Sequence, residues 1–311
     1  METRRSLSSP VSEESGIWSS KTRLSTSESN EPRALSPFDG LLRRCESEQN
    51  VLFEVVEARI VCDEKTKRYV LYTLAVKRPE HLGRNNSEVG EIERRYSDFL
   101  ALYSTLRHEF PQLIASIPFP RKALMGNFTT EVIEARCHGF ANFLSDAYVN
   151  REVRFSAVFS AFLFSKDARH GHELMTQGQF QDASCILLNA YRIAEKLYSL
   201  EDPVAFITVC LVIACLNACD NVKQAQKYAE TAVAVRYHRD RADIAVPLLI
   251  LSQRLYALEG KERSAIDKEL RIFEDERIPI VNLPTLLAIV LRIDIGVYYP
   301  FPSPTANNST P

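Results

Sequence analysis

Glycine is scarce in this sequence, which has 10 glycines in 311 residues. So low a content argues against nucleotide-binding folds built on glycine-rich loops and against turn-dense all-β architectures. The seven cysteines are scattered and include no C-x-x-C pair, which is typical of a reducing compartment. Neither sign of charge dominates, since Lys and Arg total 38 against 40 Asp and Glu. Any binding of anions must therefore depend on a local site, and a nucleic-acid partner is not expected.

Long apolar runs are also missing. The longest nearly apolar stretch, residues 204–219, is shorter than the about 20 residues that cross a bilayer as a helix. The N-terminal residues show no apolar signal region. We therefore expect a soluble, cytoplasmic protein.

Length and composition predict two domains with tails. Hydrophobic residues make up 45% of the chain and charged residues 25%, which is enough apolar material for a packed core. Residues 1–49 are rich in Ser, Glu, Arg and Pro, and we interpret them as a disordered tail. We place a first domain at 50–166, a second at 167–298 and a C-terminal tail at 299–311.

The first domain has the pattern of strands followed by helices. Residues 51–61 and 69–77 are rich in β-branched and aromatic residues, and a third strand is predicted at about 88–96. Helical spacing follows from Phe99 to a stop at Pro111, and again after Thr129. This order predicts an α+β fold in which a three-stranded sheet packs on helices.

The second domain has no strand pattern and is predicted to be all-α. Turn signals near Gly178, Asp202, Asp220 and Gly260 separate its helices. Small residues recur at a spacing of about forty residues, which is typical of stacked helical pairs. The recurring alanines are Ala183, Ala225 and Ala265.

A candidate anion site lies where the third strand meets the following helix. Arg95, Tyr96 and Ser97 stand at this junction. The N-terminal end of a helix attracts anions, and a guanidinium can bind a phosphate through two parallel hydrogen bonds. Taken alone, these residues are more typical of a solvated strand edge than of a binding site.

Three motifs follow one another in an order that resembles the phox-homology (PX) domain of sorting nexins. They are the hexapeptide Arg94–Phe99, the proline loop at 118–122 and residues 133–136 of the next helix. The resemblance covers the whole first domain. It implies a PX fold that binds phosphatidylinositol 3-phosphate in a basic pocket between these three segments. The additional cation Arg121 leaves other phosphoinositides open as ligands.

The resemblance also implies a role for each pocket residue. Arg95 would hold the 3-phosphate with help from Ser97, and Tyr96 would stack beneath the inositol ring. Lys122 would take the 1-phosphate, and Arg136 would bind the ring hydroxyls. The proline loop continues into Leu124, Met125 and Phe128, which either enter the bilayer or pack in the core.

The second domain resembles degenerate tetratricopeptide (TPR) repeats. Small residues stand at the expected spacings in its first unit. The second unit has Asp220 where a glycine is usual, and in the third Ala265 is followed by Ile272 where an alanine is usual. A PX domain followed by a TPR-like region without a coiled coil is similar to the sorting nexin 20/21 pair, with its PX-associated B domain. The resemblance implies a scaffold for the cytoplasmic tail of a transmembrane cargo or for a soluble partner.

No catalytic or metal-binding constellation is predicted. Cys210, Cys215 and Cys219 are interpreted as buried thiols, and His170 and His172 as structural or surface residues. We therefore expect a protein that is not an enzyme and has no cofactor. The preferred hypothesis is an adaptor in endosomal protein trafficking, peripheral on the cytosolic face of early endosomes, with the plasma membrane as an alternative location. The alternative hypothesis is a soluble helical-repeat scaffold whose PX domain binds protein rather than lipid.

Overall fold

The computed structural model describes residues 51–62, 68–78, 88–123, 125–234, 241–278, 280 and 282–300. Its first part is an antiparallel sheet of β1 (Leu52–Val61), β2 (Tyr69–Lys77) and β3 (Gly90–Arg95), in that order. A bulge interrupts β1 between Val55 and Glu57. The predicted turn between β1 and β2 lies mostly outside the described residues.

Two helices cover one face of the sheet. They are α1 (Tyr96–Glu109) and α3 (Thr130–Val149), with the short α2 (Pro111–Ile114) between them. Alternate residues of β2 face these helices and are buried, as the alternating pattern predicts. Tyr72 of β2 contacts Phe140 of α3 edge to face, with ring centres 5.1 Å apart. Phe140 in turn stacks on Phe99 of α1 at 3.9 Å.

The rest of the described chain is helical. The elements are α4 (Arg151–Arg154), α5 (Ala157–Ser160), a π-helical turn (Ala161–Ser165), α6 (Lys166–Thr176), α7 (Phe180–Leu197), α8 (Pro203–Ala218), α9 (Val222–Val233), α10 (Ala242–Leu258), α11 (Ser264–Asp275), α12 (Leu286–Val290) and α13 (Ile295–Tyr298). The fold is therefore a three-stranded α+β unit followed by an all-α region, as predicted. None of these helices combines the length and apolarity needed to span a bilayer.

The two regions share one hydrophobic core. The predicted boundary at residue 166 falls inside a continuous helical segment from Ala157 to Thr176. A single cluster of buried side chains includes Phe99 and Phe140 from the first region and Leu187 and Ile213 from the second. The first region and the helical region therefore bury apolar side chains against each other.

Helix α7 lies along the outer edge of β3. The approach is close, since a Cβ built on Gly90 would lie 2.4 Å from Cγ1 of Ile193. Glu88, just before β3, forms ion pairs with Arg192 and with Lys227, the latter at 3.0 Å. The buried ammonium of Lys196 donates to the Glu88 carbonyl at 2.7 Å. The edge strand that ends in the candidate anion site is thus held by the helical region.

The helical pairs follow the repeat pattern in the first two units only. Gly171 allows α6 to approach α7, because a Cβ there would lie 2.7 Å from Leu187. Ala183 and Ala225 are fully buried, as the pattern predicts. The prediction for the third unit is wrong: Ala265 and Ile272 are exposed, and the neighbouring Ile266 and Phe273 are buried instead. The buried face of α11 is therefore shifted by one residue relative to the repeat pattern.

The last described residues return to the core. Tyr299, the first residue of the predicted tail, is fully buried, and its hydroxyl lies 2.6 Å from the Thr208 hydroxyl. Arg169 donates to the Tyr299 carbonyl at 2.7 Å. The imidazole of His172 contacts the Val290 carbonyl at 2.9 Å, which is a structural role.

Candidate functional site

The three motifs identified in the sequence meet at Tyr96, the first residue of α1. Its hydroxyl donates to the carbonyl of Pro120 in the proline loop at 2.9 Å. The guanidinium of Arg136 on α3 lies 4.4 Å from the centre of the Tyr96 ring, within the range of a cation–π contact. Burial raises the pKa of Tyr96 although Arg136 opposes this effect, so the hydroxyl keeps its proton and can donate.

Arg95 occupies the N-cap position of α1, at the end of β3. Its backbone N–H donates to Oδ2 of Asp98 at 2.8 Å. This bond satisfies the backbone N–H at the N-cap and so helps to fix the start of the helix. The side chain is exposed, and the guanidinium lies 4.9 Å from the centre of the Tyr69 ring. Within the described residues it has no hydrogen-bond or ion-pair partner. Ser97 is also exposed, on the first turn of the helix. A cation and a hydroxyl therefore stand at the positive end of the helix dipole.

The proline loop is held by aromatic packing against the helices. Phe119 stacks on Tyr103 of α1 with ring centres 4.5 Å apart, and it contacts Phe143 of α3 edge to face at 5.3 Å. Gly139 lets α3 approach the loop, since a Cβ there would lie 2.4 Å from Cγ of Pro120. The loop then leads to Lys122, which is exposed and has no hydrogen-bond or ion-pair partner in the described part of the chain.

Arg136 differs from the other two cations because it is buried, with 4% of its surface exposed. Its Nη2 donates to Oδ1 of Asn127 at 2.6 Å, and its Nε is without a hydrogen-bond partner among the described atoms. Asn127 in turn donates to the Ala123 carbonyl at 2.9 Å. Asn127 was not predicted from the sequence, because an asparagine in a loop does not indicate which residue of another element its amide will bind.

The segment after Lys122 is only partly described. Met125 is 88% exposed, whereas Phe128 is 38% exposed and has the guanidinium of Arg68 4.7 Å from its ring centre. Leu124 lies outside the described residues. Met125 therefore makes no contribution to the core.

Two of the cysteines interpreted as buried thiols are buried, and Cys219 is half-buried. Cys210 and Cys215 are fully buried in α8. Burial raises the pKa of Cys215 to about 12, so it remains a neutral thiol. No set of three His, Cys, Asp or Glu side chains in the described ranges is arranged to hold a metal ion.

Comparison with known proteins agrees with the resemblance seen in the motifs. The PX domain family matches residues 84–166. Sorting nexin-20 of Bos taurus is 31% identical over 247 residues, which cover 79% of this chain and 77% of that protein. Sorting nexin-21 of Homo sapiens is 28% identical over 261 residues, covering 84% and 69% respectively. Among solved structures, a designed CISK-PX domain aligns at 22% identity with a TM-score of 0.30, over 36% of this chain and 96% of that one.

The relationship to sorting nexin-20 extends beyond the PX region into the helical region, because it covers most of both chains. Sorting nexins are generally non-enzymatic proteins that act in trafficking. The chain belongs to the sorting nexin family, and this membership implies a phosphoinositide-binding trafficking adaptor that associates peripherally with endosomal membranes.

Proposed function

We propose that this protein binds phosphatidylinositol 3-phosphate through Arg95 and its neighbours and links early endosomes to a cargo protein through its helical region, residues 167–298. The observation that supports the proposal is that two exposed cations, Arg95 and Lys122, have no counter-ion among the described residues. Arg95 directly precedes Tyr96, and Lys122 lies two residues beyond Pro120, whose carbonyl accepts the Tyr96 hydroxyl. Cations left unpaired beside a helix N-terminus favour an anionic ligand.

Each pocket residue has a distinct proposed task. Arg95 binds the 3-phosphate, with the Ser97 hydroxyl as a further donor. The Tyr96 ring supports the inositol ring, and Lys122 binds the phosphate that joins it to glycerol. Arg136 binds the ring hydroxyls. Charge-assisted hydrogen bonds contribute roughly 1.5–3 kcal/mol each before ordering costs, so the pocket gives selectivity with modest affinity.

A second contribution comes from the segment Leu124, Met125 and Phe128, which we propose enters the bilayer. A fully buried apolar side chain of this size contributes about 1.5–3 kcal/mol. Stable residence on a membrane generally needs two signals, and a cargo tail bound to the helical region supplies another. The proposed location is the cytosolic face of early endosomes, where the 3-phosphoinositide and the cargo tail are both present.

Liposome co-sedimentation tests the lipid assignment. Full-length protein is mixed with vesicles containing phosphatidylinositol 3-phosphate, phosphatidylinositol or neither. We expect pelleting with the first vesicles alone, its loss in Arg95→Ala and a smaller decrease in Lys122→Ala. Arg107→Ala, which removes an exposed arginine from the other end of α1, is the matched control and should pellet like the parent protein. Equal pelleting by all proteins with all vesicles would instead favour a PX domain that binds protein.

A further inference from the structure

A cavity lies where the end of the PX region, the loop between α7 and α8 and the last described residues meet. With the open space at its mouth it measures about 330 Å³. The aromatic side chains in its wall come from all three segments: Phe155, Phe164, Tyr198, Tyr298 and Tyr299. Its enclosed part has room for little more than a group the size of water or ammonium. The cavity is remote in sequence from the lipid-site motifs and has no part in the proposed function.

One carboxylate stands in this aromatic wall. Asp202 is 5% exposed, and its Oδ1 accepts the N–H of Val204 at 2.8 Å, which caps α8. Its other oxygen, Oδ2, is buried and has no hydrogen-bond partner in the described part of the chain, although the Ala205 N–H also faces this carboxylate. An unpaired carboxylate oxygen is costly in an apolar environment, and this cost is removed when a cation binds to it.

The two arginines beside the cavity are already bound elsewhere. Arg169 donates to the carbonyls of Tyr299 and Pro300 at 2.7 and 3.2 Å. Arg241 donates to the hydroxyl of Tyr298 at 2.7 Å. Neither arginine donates to Oδ2 of Asp202, so neither forms an ion pair that neutralises this carboxylate.

The remaining polar groups in the wall are hydroxyls. Ser160 and Ser165 line the cavity, and their oxygens are 3.3 Å apart. The Ser160 hydroxyl donates to the Ala157 carbonyl at 3.1 Å, so Ser165 donates to Ser160, which leaves one lone pair on Ser160 and both on Ser165 free to accept. The wall thus offers three oxygen acceptors, one of them a carboxylate oxygen, among rings whose faces attract cations.

We propose that this cavity binds a primary ammonium group, provided by a lysine side chain of a partner protein or by a small free amine. An ammonium has three N–H donors, which match Oδ2 of Asp202 and the two serine hydroxyls. The aromatic rings exclude water and add cation–π attraction. A divalent metal ion is a poorer match, because the wall supplies a single carboxylate.

The test uses the full-length chain in an amine-free buffer, with thermal unfolding as the measurement. Methylammonium chloride is titrated against sodium chloride of equal ionic strength, and tetramethylammonium chloride serves as a cation without N–H donors. We expect a saturable rise of the unfolding midpoint with methylammonium alone. Asp202→Asn keeps the helix cap but removes the charge. We expect it to weaken the apparent affinity for methylammonium about tenfold or more, because one charge-assisted hydrogen bond is lost. Asp294→Asn, the same change at the exposed cap of α13, should leave the affinity unchanged.

Two further arms distinguish the source of the ammonium group. A short N-terminally acetylated peptide with one lysine is compared with the same peptide carrying acetyl-lysine. Competition with methylammonium by the first peptide alone assigns the site to a lysine side chain, and competition by neither assigns it to a free amine. The proposal is overturned if methylammonium shifts the unfolding midpoint no more than sodium or tetramethylammonium does. It is also overturned if methylammonium shifts the midpoint of Asp202→Asn as much as that of the parent, because the ammonium then does not bind at Asp202.

Discussion

The side-chain amide of Asn189 on α7 pairs with both backbone groups of Glu91 in the edge strand β3. Its Oδ1 accepts the Glu91 N–H at 3.1 Å, and its Nδ2 donates to the Glu91 carbonyl at 2.7 Å. The amide therefore takes the place of one residue of a fourth strand. It closes an edge that otherwise presents unpaired backbone groups. It also joins the helical region to the strand that ends in Arg95.

Replacing Asn189 should loosen this edge. Asn189→Ala removes two hydrogen bonds, each worth about 0.5–1.5 kcal/mol, although water can reach the freed backbone groups. We expect lower stability in urea and faster hydrogen exchange at the Glu91 amide. Asn217→Ala is the control, because that side chain has no hydrogen bond within the described residues. Equal exchange rates at Glu91 in both variants would show that the amide pairing does not hold the edge.

Gly139 controls how closely α3 approaches the proline loop. Replacing glycine by alanine inside a helix normally stabilises it by about 1 kcal/mol. In Gly139→Ala, however, the new methyl group would stand 2.4 Å from Cγ of Pro120, and such overpacking costs typically 1–3 kcal/mol. We therefore expect a net loss of stability and weaker binding to 3-phosphoinositide vesicles, because the loop that carries Lys122 is displaced.

The matched change for Gly139→Ala is His138→Ala, at the exposed neighbouring position of the same helix. It raises helix propensity without a clash, so it should leave vesicle binding unchanged. Urea unfolding and co-sedimentation measure the two effects separately. A Gly139→Ala protein that is more stable than the parent would contradict the close approach.

The sequence predicted the strands, the two helices beside the sheet and the order of the three motifs. These features depend on local periodicity and on proline and cap signals, which act over a few residues. The shifted face of α11 was not predicted, because Ala265 and Ile266 both suit a helix and only packing against α10 selects one. Asn127 and Asn189 were missed for a related reason: their partners are distant in sequence, and a polar side chain does not specify its partner.

Met125 provides a test of membrane insertion that is separate from the pocket. Since the side chain is 88% exposed, Met125→Ala should leave the stability of the soluble protein within about 0.5 kcal/mol of the parent. Its loss should nevertheless weaken binding to phosphoinositide vesicles several-fold, because the methionine no longer transfers into the bilayer. Leu258→Ala removes a 58% exposed apolar side chain from the end of α10 and is the control. Equal vesicle affinities for the two variants would contradict insertion of Met125.

Asp202 makes the stability of the protein depend on pH. Burial raises its pKa in the folded chain to about 7, from about 3.9 in an unfolded one. Between these values the folded state binds more protons than the unfolded state, so the free energy of unfolding falls as pH rises. The contribution of Asp202 is complete below about pH 4 and is lost as pH rises through 7. The full difference is on the order of 4 kcal/mol.

Asp202→Asn should remove the decrease in the free energy of unfolding at high pH, because an amide caps α8 equally well and does not ionise. In an amine-free buffer we expect the variant to be more stable than the parent at pH 8, by up to about 4 kcal/mol, and the gap to shrink steadily toward pH 4. Urea unfolding at a series of pH values measures the gap, and Asp294→Asn should show none. Saturating methylammonium should narrow the gap at pH 8, since a bound cation stabilises the ionised carboxylate of the parent protein alone. A gap that stays constant from pH 4 to pH 8 would mean that the carboxylate is not protonated in the folded chain.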